Sequence, residues 1–345
     1  MAGSTGGMMG SEAEGVTSSK RKGGSSRRFV WLATAIVAAI TLYTGGWFYA
    51  ADALEQATDT WLTRMNERGA SASCEQRQAR GYPFRIGLFC SKAAVADAEG
   101  RFAVRADGLR SAAQVYNPAH IVGELDAIRL DLFGAANPVG ASASDIRFSA
   151  RRADPLPERA SVTAQQVRLD AIPEGRVASV LFEAGHVEAH ARRNGADLDL
   201  ALSAEAISAR PPQLGREIRA ERFQADLTVA DGVRLAMERP QSLRGISLVI
   251  RDLAITLADQ AGFALSGPFS VDMDGFIDAK LQLSAQNPQK LATLLAEIMP
   301  ENGNQIRSVA AGLAALGDNP SLPLTVTKGQ ARIAFITLGR IPPLN

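Results

Sequence analysis

From about residue 71 to residue 286 the chain alternates apolar and polar positions with a period of two. Leu198, Leu200, Leu202, Ala204 and Ala206 alternate with Asp197, Asp199, Ala201, Ser203 and Glu205. Phe223, Ala225, Leu227 and Val229 alternate with Gln224, Asp226 and Thr228, and Ile277, Ala279, Leu281 and Leu283 with Asp278, Lys280 and Gln282. Shorter runs of the same kind occupy 102–106, 128–132, 146–150 and 167–171. Such alternation predicts strands with one face buried and one face wet. Short polar or glycine-containing connections between them predict an antiparallel meander. At Arg251-Asp252 the apolar phase changes from even (Ile246, Leu248, Ile250) to odd (Leu253, Ile255, Leu257). A one-residue slip would expose the apolar face, so a bulge is expected there to restore the phase.

A helical period frames this region on both sides. Leu54, Ala57, Trp61, Leu62 and Met65 form one apolar stripe over residues 52–68, and Gly69 supplies a stop. After Asn287-Pro288, a cap followed by proline at the first helical position, come Leu291, Leu294, Leu295 and Ile298, with Pro300 ending the run. A second helix carries Ile306, Val309, Ala310, Leu313 and Leu316 and ends at Gly317. Leu322 to Leu338 predicts a closing β-hairpin with its turn near Lys328-Gly329. The fold class expected is mainly β (α+β), with one or more curved antiparallel sheets and C-terminal amphipathic helices.

Phe29 to Ala50 contains no charged residue. Its 22 positions, at about 1.5 Å each, cross a hydrocarbon core of ~30 Å. Trp31 lies near one end, and Tyr43, Trp47, Phe48 and Tyr49 lie near the other, as interfacial aromatics do. Arg27 and Arg28 abut the N-terminal end, which predicts a cytoplasmic N-terminus and a large exported domain. The alternative is a cleaved signal peptide, with Ala51-Asp52-Ala53 as the cleavage motif. The apolar run exceeds the usual h-region of about 7–15 residues, which weighs against it. The domains expected are a disordered tail at 1–28, a transmembrane helix at 29–50 and a β-rich domain at 51–345. The location expected is the bacterial inner membrane, single-pass, with the main domain in the periplasm.

Composition changes this picture little. The net charge is +1. Residues 1–28 carry five basic residues against Glu12 and Glu14, a net +3, leaving −2 for the rest of the chain. A near-neutral domain with both signs interspersed lacks the basic footprint of a nucleic-acid binder. The Gly- and Ser-rich tail buries too little to order itself. Both cysteines, Cys74 and Cys90, follow the apolar run. In an oxidising compartment they are expected to form a structural disulfide around the turn Gly81-Tyr82-Pro83-Phe84. Free thiols and a redox pair are the alternatives, and the latter usually wants C-x-x-C spacing.

Catalytic chemistry is poorly supplied. His186, Glu188 and His190 share one face of a strand and could in principle ligate zinc. A solvated strand face carries the same residues without a metal, because Val187, Ala189 and Ala191 take the inward positions. Asp272, Asp274, Gly275 and Asp278 lack the full ligand series of a calcium loop and predict a turn. Tyr116-Asn117-Pro118 predicts a turn entry. No phosphate loop, nucleophile elbow or recognisable triad is present, and the only other histidine is His120. No catalytic residue, cofactor or metal ligand is therefore assigned, and a non-enzyme is expected.

The run Gly81-Tyr82-Pro83-Phe84-Arg85-Ile86 into Leu88-Phe89-Cys90, then Val115-Tyr116-Asn117-Pro118, resembles an uncharacterised family of bacterial membrane-anchored envelope proteins. The ending from Leu322-Pro323-Leu324 to Leu338-Gly339-Arg340-Ile341-Pro342-Pro343-Leu344 is similar to the C-terminal end of the same family. The family has no assigned activity and implies no catalytic residues. The architecture of an anchor followed by many amphipathic strands also resembles AsmA-like envelope proteins, which implies an apolar β-groove for lipid chains. The function expected is binding of lipid or another apolar ligand in such a groove, lined by Leu198, Leu200, Leu202, Leu281 and Leu283. The alternative is a non-catalytic scaffold for other envelope proteins. The partners expected are the inner membrane through 29–50, lipid, and envelope proteins.

Overall fold

The structure is a computed structural model. It describes residues 24–133, 137–172, 179–211, 215–238, 240, 242–298, 303–315, 317–333 and 336–344. The expected disordered tail therefore lies outside the described residues up to position 23, as do Pro300 and Leu316. The chain divides into two compact units, 1–49 and 50–345. A single helix, α1 (Gly24–Glu67), supplies the described part of the first unit and the start of the second. It begins five residues before the apolar run and does not break after it. Its N-terminal portion is long and apolar enough to cross a membrane. Gly69 ends the helix as expected, at φ +84°, with Ala70 N donating to Met65 O at 3.2 Å.

The second unit is built on one open antiparallel sheet of 16 strands. The strands are β1 (Ser71–Glu75), β2 (Gln78–Arg80), β3 (Arg85–Ala96), β4 (Phe102–Gln114), β5 (Asn117–Leu132) and β6 (Val139–Arg151). β7 (Arg159–Ala171), β8 (Ser179–Asn194), β9 (Asp197–Ala209), β10 (Ile218–Val229), β11 (Ser247–Thr256), β12 (Gly262–Val271) and β13 (Ile277–Gln286) follow. β14 (Ser321–Thr327), β15 (Gln330–Ile333) and β16 (Ile336–Arg340) close it. Neighbours in the sheet are neighbours in sequence from β3 to β16, a pure meander; β1 and β2 both pair with β3. The helices are α2 (Gly232–Glu238), α3 (Pro288–Ile298) and α4 (Gly303–Ala314). The closing hairpin has its turn at Lys328-Gly329, but Ile336–Arg340 adds a third strand that the pattern did not separate. Tyr116-Asn117-Pro118 straddles a turn and the start of β5.

The phase change expected at Arg251-Asp252 is a bulge: Ile250 pairs with Gly267 while Leu253 pairs with Leu265, one residue more on β11 than on β12. It is one member of a series. The apolar phase also reverses within β4 near Gly108, β5 near Asp126, β6 near Asp145, β7 near Gln166, β8 near Gly185, β9 near Ala206 and β10 near Glu221. Along β4–β9 these positions fall opposite one another in the ladder, as the flanking pairs Asp107↔Ala127, Leu125↔Ile146, Arg168↔Glu183 and His186↔Glu205 show. Gly108, Asp145, Gln166 and Ala206 adopt positive φ at this seam (61°, 43°, 49° and 52°), a local twist that re-aims the following side chain.

The reversal keeps one face apolar. Below the seam, Ala220 and Ile207 face each other; above it, Phe223 pairs with Ile255. Ala220, Ile207 and Ile255 nevertheless pack in one cluster with Leu291, Leu294 and Leu295 of α3. α3 therefore covers this side of the sheet. A second cluster joins Ile277, Ala279, Leu281, Val326 and Ala331 to the C-terminal Ile341 and Leu344.

The expected disulfide is present: Cys74 and Cys90 are bonded with their Cα atoms 5.3 Å apart. It joins β1 to β3. The C-terminal part of α1 docks on β2 and the connection before it, with Glu55 Oε1 accepting from Ala79 N at 2.6 Å and Asp59 pairing with Arg77 at 2.6 Å. Replacing both cysteines by serine is expected to lower unfolding stability by about 2–4 kcal/mol, read as a lower urea midpoint at unchanged slope. An unchanged midpoint would show that the bridge does not constrain the unfolded chain.

Candidate functional site: an open apolar trough

Cross-strand register assembles the site. On the apolar face, Phe148 of β6 sits opposite Val162 of β7, Val162 opposite Ala189 of β8, Ala189 opposite Leu202 of β9, and Leu202 opposite Ala225 of β10. One row further from the seam run Ala150, Ala160, Ala191, Leu200 and Leu227. Directly opposed residues in an antiparallel pair share a face, so these ten side chains form one apolar floor. They line a depression of about 650 Å³, within the range of ligand pockets. The floor is made of small residues between larger ones. Phe148 forms one end, its ring lying over Gly123, where a Cβ would come 2.2 Å from the ring.

The floor is open at its centre, while Ala225 at its β10 edge is buried. Leu202 is 42% exposed and Val162 38% exposed. A fully buried side chain of this size contributes about 1.5–3 kcal/mol, and these two forgo much of it. The five leucines expected to line a groove divide into three environments. Leu200 and Leu202 lie in the trough. Leu198 lies at its margin under α2, where a Cβ on Gly232 would approach Leu198 Cβ to 2.7 Å. Leu281 is buried in the cluster with Val326, and Leu283 pairs with Leu322. Phe148 and Val162 were not singled out in the sequence, and Ala189 and Ala191 were read only as inward-facing; the register shows that they share a floor with Leu200.

The opposite face is a network of ion pairs. Asp199, 6% exposed, receives Arg192 at 2.7 Å, Thr228 Oγ1 at 2.8 Å and Arg251 at 3.0 Å. These donors, Arg192 first, hold its carboxyl far below the usual carboxylate range. Arg251 also pairs with Asp226. On the other side of the seam Arg129 bonds Asp131 at 2.7 Å and reaches across β6 to Asp170 at 3.0 Å. Gly140 leaves room for it: a Cβ there would lie 2.0 Å from the guanidinium. Burial pushes the Asp170 pKa up, but Arg168 and Arg129 outweigh it and the net shift is downward. Arg219 and then Ser208 draw Glu217 down to about 2.

His186, Glu188 and His190 do share this polar face. His186 Nε2 lies 2.8 Å from Glu188, His190 lies 3.6 Å from it, and the other ring nitrogens meet Gln165 and Ser161. Among the described residues no three His, Cys, Asp or Glu side chains are placed to hold a metal. Asp272 is a turn residue, its Oδ1 accepting from Asp274 N and Phe276 N.

Two outcomes follow from this two-sided arrangement. Carboxylates with depressed pKa values stabilise the fold above their unfolded-state values and lose that contribution as pH falls. Stability should therefore be flat at neutral pH and begin to drop below about pH 4.5, where unfolded Glu and Asp take protons. Asp199→Asn should shrink that acid-side drop, measured by denaturant titration at each pH. Separately, Leu281→Asp should cost about 3 kcal/mol or more, a charge buried in a packed cluster, whereas Leu202→Asp in the open trough should cost under about 1 kcal/mol.

No curated protein matches the sequence. A family model described as an uncharacterized protein conserved in bacteria matches residues 47–342, which takes in the end of the apolar run, the disulfide, and the described strands and helices in whole or part. The chain thus belongs to the bacterial family DUF2125.

Proposed function

We propose that this protein is a non-catalytic envelope protein that holds the hydrocarbon tail of a lipid, or another apolar ligand, in the trough on β6–β10. The observation that carries the reading is the uncovered apolar floor around Leu200 and Leu202. A fully buried methylene contributes about 0.8 kcal/mol before ordering costs, and a floor that shields one side of a tail supplies a part of that for each methylene it meets. Residues 29–50 would anchor the chain in the inner membrane, beside a source of lipid. Arg27 and Arg28 favour a cytoplasmic N-terminus and a periplasmic domain. The Cys74–Cys90 bond suits an oxidising compartment.

The test is photolabelling of the full chain in detergent with a diacylglycerol that carries a photoactivatable tail. Labelled peptides from β7–β9 are expected, alongside label on 29–50. Changing Leu200 and Leu202 together to Asp should reduce label on β7–β9 about tenfold while label on 29–50 and the circular dichroism spectrum stay unchanged. Label confined to 29–50, or equal label on the variant, would overturn the reading. Recovery of a stable envelope-protein partner on the same strands would replace it with the scaffold role.

A further inference from the structure

The trough has one charged margin, and its chemistry narrows the ligand class. β8 runs in unbroken register from Val187 through Ala189 and Ala191 to Arg193, which pairs with Leu198 of β9. Arg193 therefore stands on the same side of the sheet as the apolar floor, one row beyond Ala191. Arg152 occupies the corresponding place after β6. Its N–H donates to Ala119 O at 2.7 Å, continuing the ladder two residues past Ala150. Arg152 is exposed, and its side chain makes no hydrogen bond or ion pair among the described residues. Arg193 is half-buried, its Nη1 donating to the Asp154 carbonyl at 2.8 Å, with no carboxylate partner among the described residues.

Neighbouring arginines differ. Arg151 is paired with Glu158 at 3.1 Å, and Arg192 with Asp199. Arg159 lines a separate depression with Arg192 and Arg251, on the polar face. The same ladder places Glu158 opposite Arg193, its carbonyl accepting from Arg193 N at 3.0 Å, and its carboxylate is taken up by Arg151 at 3.1 Å; Arg152 and Arg193 are the cations of this row with no carboxylate in ion-pair reach among the described residues. The other part of this margin, at Leu198, is occupied by α2 at Gly232. Away from the margin the face stays apolar through the seam, with Ala143, Val167 and Ala184 on its far side. From Arg193 to Ala189, the far β8 residue of the open floor, is four residues, about 13 Å of strand, close to the ~15 Å that one leaflet's tails occupy in a ~30 Å hydrocarbon core.

We infer that the ligand is a glycerophospholipid with an anionic headgroup, its tail on the floor of the trough and its phosphate at Arg152 and Arg193. This rests on the apolar-ligand reading above and adds the headgroup. Guanidinium groups donate fork-like pairs of hydrogen bonds to phosphate oxygens, and the site's open side leaves the headgroup in water.

The experiment compares two lipids with the same photoactivatable tail, a phosphatidylglycerol and a diacylglycerol that lacks the phosphate, on the full chain in detergent at equal concentration. The natural sequence is expected to label β7–β9 about fivefold more with phosphatidylglycerol. Arg152→Gln with Arg193→Gln should bring that ratio to about one without lowering diacylglycerol label. Arg152→Gln alone, at an exposed side chain with no partner among the described residues, should lower the ratio and guards against misfolding of the double variant. Equal labelling of the natural sequence by both lipids, or an unchanged ratio in both variants, overturns the headgroup assignment while leaving the trough reading intact. Label from neither lipid on β7–β9 overturns both.

Discussion

Register along the long meander is the constraint on which the rest depends. Strands of 12–16 residues from β3 to β10 are too long to stay in one pleat without twisting. The chain accommodates this by reversing its apolar phase once in each strand of the central sheet. The reversal works only because it happens at matched positions. Asp107↔Ala127, Leu125↔Ile146 and His186↔Glu205 all flank the seam with no residue gained or lost between the strands they join. Were one strand to reverse alone, its next apolar residues would meet water and its neighbours would lose their partners.

From that alignment follow the two unlike faces. The ion-pair face keeps the sheet soluble without a second layer, and its acids stay charged because arginines on neighbouring strands reach them. Asp199 is held from β8, β10 and β11 at once, so the network also stitches strands together. The apolar face is covered where α2, α3 and the C-terminal segment pack and left open at Val162 and Leu202 on the trough floor. Function, on the reading proposed here, lies in the part of the core that the chain does not finish.

Much of the fold was legible in the sequence, for reasons visible in particular residues. Leu198–Leu202 and Ile277–Leu283 alternate with charged partners, so their hydropathy contrast is high, and the phase change at Arg251-Asp252 stands between aliphatic runs. The other seam positions were not legible. β6 reads Val-Gly-Ala-Ser-Ala-Ser before Asp145, and Ala against Ser carries almost no contrast. The third C-terminal strand was merged into a hairpin because Ile333 and Ile336 read as one apolar run. The trough itself could not be read, because groove and core demand the same side chains. Leu200 and Leu281 look alike in sequence; the difference is whether another element lies over them, which pairing and packing alone determine. Arg152 and Arg193 escaped notice because their side of the sheet is known only once the ladder is counted.

The shared seam also governs how such a chain can change over evolutionary time. Deleting one residue inside a central strand would misalign that strand's reversal with both neighbours unless an offsetting change close by restored the count, as the two opposite register shifts between β6 and β7 do at the seam. Length can vary freely only in the turns, or by gain and loss of whole strand pairs that carry their own matched reversals. A lineage of such proteins would therefore drift in side chains and in loop lengths, while the spacing between successive seam positions stayed fixed, a periodic ruler written in the gene.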